Sequence, residues 1–139
     1  MDKLFLDANV LFSAAYRPDA GVRRLWRLPG ARLVTSSYAL EEARRNLTRL
    51  EQRADLEELS ESLEVVGSAV EPEGDSGILN TVDLPEKDRP ILLAAMSAGA
   101  LHLITGDFAH FGPYYGERVG GVLILPPARY LREFAGPEG

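Results

Sequence analysis

No cysteine occurs in the 139 residues, so disulfides and thiolate metal sites are excluded. Histidine is nearly as scarce. His102 and His110 are the whole supply, too few for a histidine-rich zinc site. A divalent ion would therefore be held by oxygens, which points to Mg²⁺ or Mn²⁺. Lysine is limited to Lys3 and Lys87, against thirteen arginines, the cation suited to bidentate phosphate contacts. No apolar run reaches the roughly 18–20 residues of a membrane span. Asp7 and Asn9 interrupt any signal peptide early, so a cytoplasmic location is expected. Positive charge is outweighed, with a net charge of −6, which argues against broad charge-driven binding of nucleic acid. A nucleic-acid enzyme stays open, because metal-binding acids count as negative in that sum until the ion binds.

What is present suits one globular domain over residues 1–139. Hydrophobic residues make up 45% of the chain, enough for a real core. Strands and helices alternate. Lys3–Leu6 is an apolar run ending in Asp7, and Arg32–Thr35 is a second strand. Val65-Val66 is a weak third, Leu101–Thr105 a fourth and Val122–Leu125 a fifth. Val10 to Leu28 reads as helix, split near Pro18 and Gly21. Ser36-Ser37 caps a helix carrying Leu40, Ala43, Leu47 and Leu50 at helical spacing. Asp55 to Leu63 continues as another helix. Asp88-Arg89-Pro90 starts one whose buried face is Ile91, Leu92, Ala95 and Ala98, and Ala128 to Phe134 closes the chain. Glu71 to Glu86 is expected to be loop with at most one short strand. The alternation predicts an α/β fold, a three-layer α/β/α domain with a mostly parallel five-stranded sheet.

Ligands of such sheets gather outside the carboxyl ends of the strands. Asp7 and Asp107 stand there, each also explicable as a turn or helix cap. Asp88 opens a helix, where aspartate commonly caps, yet it shares the inward side of Ile91 and Leu92. Glu42 lies near the edge of its helix's apolar stripe, and periodicity does not choose between it and Glu41. A carboxylate set without cysteine or a histidine pair makes the oxygen-rich site of a hard cation.

These stretches resemble the PIN domain family, metal-dependent ribonucleases that include toxins of toxin–antitoxin pairs. Asp7-Ala8-Asn9 matches the strand running into Asp, a small residue, then Asn or Ser. Ser37-Tyr38-Ala39-Leu40-Glu41-Glu42 with Leu47 matches the Ser-led helix, and the alignment favours Glu42. Asp88 to Ala95, with Ala98-Gly99-Ala100, matches the third motif, and Thr105-Gly106-Asp107 the fourth. Leu125-Pro126-Pro127 before Tyr130-Leu131 completes a likeness over nearly the whole chain. Two departures stand out. Phe108-Ala109-His110 follows where many relatives carry a further acid, and Glu71 to Glu86 matches no motif firmly.

The resemblance implies that Asp7, Glu42, Asp88 and Asp107 bind one or two Mg²⁺ or Mn²⁺ ions, so that metal-activated water attacks a phosphodiester. It makes Asn9 and Thr105 supports for the ligands and RNA the substrate. Arg17, Arg44, Arg45 and Arg89 are the candidates for holding phosphates. A cognate antitoxin and a homodimer are the partners it suggests. Two other readings remain. One is a non-catalytic PIN-like module that binds RNA or protein. The other is an aspartate-based phosphotransfer or phosphatase domain, which normally needs a lysine near the acid.

Overall fold

The first strand decides the rest. In a computed structural model, which describes residues 2–67, 79 and 81–134, β1 (Asp2–Leu6) lies inside a six-stranded sheet. Its residues Leu4, Phe5 and Leu6 have no exposed surface. Burying each such side chain favours folding by about 1.5–3 kcal/mol. The remaining strands are β2 (Ala31–Ser36), β3 (Glu64–Val66), β4 (His102–Ile104), β5 (Arg118–Val119) and β6 (Val122–Leu125). Their spatial order is β3-β2-β1-β4-β6-β5.

Among the described residues, all strand pairings are parallel except β5 with β6. The three-layer α/β/α arrangement is as expected, and the sheet has one strand more. That strand, β5, is two residues long and enters as a hairpin turned at Gly120 and Gly121, both at positive φ. So short a run carries no periodicity to read.

Among the described residues, the helices with defined bounds are α1 (Ala8–Tyr16), α2 (Ser37–Asn46), α3 (Leu50–Ser60), α4 (Arg89–Ser97), α5 (Phe108–Phe111) and α6 (Pro127–Phe134). Gly21–Arg27 and Glu86–Asp88 are 3₁₀ turns. Ser36 caps α2, its hydroxyl accepting from the Ala39 amide at 3.1 Å. The spacing of Leu40, Ala43, Leu47 and Leu50 predicts a helix that runs through Leu50. The structure ends it at Asn46, because Leu47 drops into the core as the C-cap and the Arg53 side chain takes its carbonyl at 2.8 Å. Leu50 then starts a new helix and is 82% exposed, outside the buried stripe assigned to it. The expected loop over Glu71 to Glu86 falls largely outside the described residues; within it, Leu79 is buried in the core.

Topology positions the site. From β1 the chain moves outward to β2 and β3, then returns to add β4 on the other side of β1. Connections therefore leave β1 and β4 in opposite directions and open a crevice at their carboxyl ends. The register places Leu6 beside Ile104, and the Asp7 amide donates to the Ile104 carbonyl at 3.0 Å.

Candidate active site

Just past those strand ends is a cavity of about 380 Å³ lined by Asp7, Asn9, Phe12, Glu42, Asn46, Lys87, Asp88 and Asp107, with Ala8. The four acids singled out in the sequence thus share one wall-to-wall space. A larger cavity of about 570 Å³ lies between the Gly21–Arg27 turn and α6, but no acid among the described residues lines it.

Asp7 is both a helix cap and a cavity wall. One carboxylate oxygen accepts the Ala8 amide at 2.7 Å, which starts α1. The other accepts the Thr105 hydroxyl at 2.8 Å and the Asn9 amide at 3.1 Å. Asp7 is 3% exposed. Burial pushes its carboxyl up to about 6, the bonds from Thr105 and Ala8 pull against this, and the charges of Asp88 and Glu42 add to the rise. Asn9 also accepts the Gly106 amide at 2.7 Å, so a single side chain joins the turns after β1 and β4.

Asp88 occupies the N-cap position of α4 but makes no side-chain cap bond. The commonest structural use of an aspartate there is therefore not the one observed. It is 8% exposed. One oxygen, Oδ2, is buried with no well-formed hydrogen bond, although His110 Nδ1 lies 2.9 Å away. Burial raises the Asp88 carboxyl, His110 opposes this, and the negative charge of Asp107 reinforces it.

Asp107 caps α5 by accepting the His110 amide at 3.2 Å, and its other oxygen meets His110 Nδ1 at 2.9 Å. Glu42 faces the cavity, whereas Glu41 is exposed and pairs with Arg44 at 2.7 Å. The geometry thus separates two glutamates that periodicity could not. A tether supports this side: the Tyr38 hydroxyl donates to the Lys87 carbonyl at 2.8 Å, tying α2 to the turn that carries Asp88.

The arginines are more dispersed. Arg44 is held by Glu41 and Glu57, and Arg17 stands 3.8 Å from Asp19 at the surface. Arg45 is close enough to Tyr38 to act on its charge, and Arg89 is half-buried at the start of α4. None of the four lines the cavity; its cation is Lys87.

The residues fit a divalent cation. Asp88 Oδ2 is a buried charged oxygen awaiting a donor or an ion, an arrangement costly when left unpaired. Asp88, Asp107 and His110 each offer a donor atom within 4.8 Å of the others. His110 was not legible as part of this group from composition alone, because two histidines do not suggest a site. The available signal was spacing: Asp107 and His110 are three apart at a helix start and so share one side.

Similar architecture occurs in solved structures. A chain of the VapBC2 complex from Rickettsia felis, bound to a DNA fragment from their promoter, superposes with a TM-score of 0.68. Identity is 15%, over 89% of this chain and 98% of that one. A chain of VapBC-1 from nontypeable Haemophilus influenzae gives 0.59 at 20% identity, over 91% and 98%. The fold is that of the PIN-domain VapC toxins. VapC20 of Mycobacterium tuberculosis, a sarcin-ricin loop cleaving toxin, gives 0.51 at 14% identity, over 76% of this chain and 92% of VapC20. No protein-family model and no curated protein matches the sequence. The likeness to VapC lies in the path of the chain.

Proposed function

We propose that this chain is a single-domain PIN-type endoribonuclease, dependent on Mg²⁺ or Mn²⁺, acting as the toxin of a toxin–antitoxin pair. The observation that carries the reading is the convergence of Asp7, Glu42, Asp88 and Asp107 on one cavity at the switch point of a VapC-like sheet. Two structural neighbours come from VapBC assemblies and a third is named for cleaving the sarcin-ricin loop, which supports a protein partner and an RNA substrate here.

A bound divalent ion supplies Lewis acidity and a more acidic water for attack on a phosphodiester phosphorus. The chain supplies the rest. Asp88, Asp107, Glu42 and Asp7 would present the oxygens that hold the ion. Thr105 and Asn9 fix the rotamer of Asp7, so its position is set before substrate arrives. Lys87 faces the cavity as a counter-charge for a phosphate. Phe108, 77% exposed directly after Asp107, offers a ring on which an unpaired base can stack. Arg45, near Tyr38, and Arg89, next to Asp88 in the chain, are the remaining candidates for phosphate contacts.

One observation favours a second reading, aspartyl phosphotransfer: Lys87 lines the same cavity as Asp7. Against it, both Asp7 oxygens already accept hydrogen bonds and the residue is buried, a poor state for a nucleophile. The test is cleavage of RNA with Mn²⁺ by the intact chain and by Asp7→Asn. Expected are products with 5′-phosphates from the former and none from the latter, with unchanged circular dichroism. Cleavage surviving in Asp7→Asn, or stable beryllofluoride modification of Asp7, overturns the nuclease reading.

A further inference from the structure

The histidine beside the acids has a role that carboxylates alone cannot fill. His110 Nδ1 lies 2.9 Å from Asp107 Oδ2 and 2.9 Å from Asp88 Oδ2. A neutral imidazole has at most one hydrogen on that nitrogen, and its direction serves Asp107. Asp88 Oδ2 is left buried and without a bond. Three donor atoms therefore crowd within 4.8 Å of one another, with at most one hydrogen on Nδ1 to share between two carboxylate oxygens. The two 2.9 Å separations from Nδ1 are what neighbouring ligands adopt around an octahedral ion with bonds of about 2.1 Å. One cation between them engages all three at once.

We infer that His110 Nδ1 is a direct ligand of the divalent cation, shared with Asp88 and Asp107, and that this nitrogen biases the site toward Mn²⁺ over Mg²⁺. The inference rests on the metal-dependent reading above and deepens it, because an all-oxygen site has no such bias built in. Imidazole suits transition metals, while Mg²⁺ keeps to oxygen and retains its waters. Ligation uses the tautomer with its hydrogen on Nε2. His110 is one-third exposed, so that hydrogen has room to meet solvent. The placement is local in origin: α5 begins at Phe108, with Asp107 as its cap, which carries His110 around to the side of its own cap.

The experiment is electron spin-echo spectroscopy of Mn²⁺ added to the full chain, with Mn²⁺ and Mg²⁺ affinities measured by calorimetry. Expected is a ¹⁴N coupling on the bound Mn²⁺ that changes to the ¹⁵N pattern when only histidine is ¹⁵N-labelled, a test that needs no substitution. In His110→Ala and His110→Gln the coupling vanishes. Mn²⁺ affinity falls by at least the roughly 10–100-fold that loss of an outer partner costs, while Mg²⁺ affinity falls less. Tight Mn²⁺ binding with no histidine coupling overturns the inference and leaves the metal site standing. Equal loss of both affinities also overturns it, since His110 then acts only by orienting Asp107. Absence of Mn²⁺ binding to the unaltered chain overturns both.

Discussion

Thr105 Oγ1 donates to Asp7 Oδ2 at 2.8 Å, joining residues 98 apart in sequence. The same hydroxyl oxygen accepts the Asp107 amide at 3.1 Å, so one fully buried threonine orients two of the four acids. Thr105→Val keeps the shape and removes the bonds. We expect the roughly 10–100-fold loss in Mn²⁺ affinity or cleavage typical of lost outer-shell support, with little change in circular dichroism. Calorimetry and initial rates check this; unaltered values for both would show that Asp7 needs no such support.

Asp7 makes the metal-free protein sensitive to pH. Its carboxyl sits near 3.8 when solvated and is raised to about 6 in the fold, so the folded state holds the proton more tightly. Its favourable contribution is therefore complete below about pH 4 and is lost as pH rises through about 6. Roughly two pH units correspond to at most about 3 kcal/mol. Urea unfolding of metal-free protein and of Asp7→Asn, from pH 4 to 7.5, should show the unaltered chain losing ground to the variant. Mn²⁺ should restore it at pH 7. Parallel curves would mean that Asp7 is not buried as an acid.

Adjacent glutamates separate cleanly. Glu42→Gln removes a cavity carboxylate and should cut cleavage by a hundredfold or more, on the order of 3 kcal/mol in barrier. Glu41→Gln breaks an exposed pair with Arg44, worth about 0–1 kcal/mol, and should leave activity within twofold. Equal effects of the two substitutions would mean that α2 presents a different face to the substrate.

Phe108 should matter to binding and hardly to folding. Phe108→Ala removes a ring that is 77% exposed and touches Tyr115 at a tilted 6.4 Å between centroids. Stacking on one base is worth about 1–3 kcal/mol, so KM for RNA should rise by about tenfold with kcat nearly kept. A thermal midpoint lowered by many degrees, with KM unchanged, would make the ring a structural prop.

The sequence shows these outlines unevenly. Strands whose both faces are covered are continuous apolar runs, so Leu4–Leu6 and Val122–Leu125 are legible at once. The acids at strand ends are legible because a parallel sheet prescribes where ligands gather. Caps followed the same logic, with Ser36 where its hydroxyl was expected. The break at Leu47 was hidden, because Leu50 continues the spacing of Leu40, Ala43 and Leu47 across a turn that no Gly or Pro marks. His110 was hidden for a different reason. Its meaning depends on Asp88, 22 positions earlier, coming within reach through tertiary packing. Arg44 reads as a free cation in the sequence because Glu57, which holds it at 3.0 Å, comes from the next helix.

The pairing of Leu6 with Ile104 is made of main-chain atoms, and the turns that bear Asp7 and Asp107 inherit their places from it. Side chains on the outer faces of the helices can change one after another without shifting either turn. A scaffold set by main-chain pairing tolerates wide differences in letters, and 15% identity coexists with superposition over 89% of the chain.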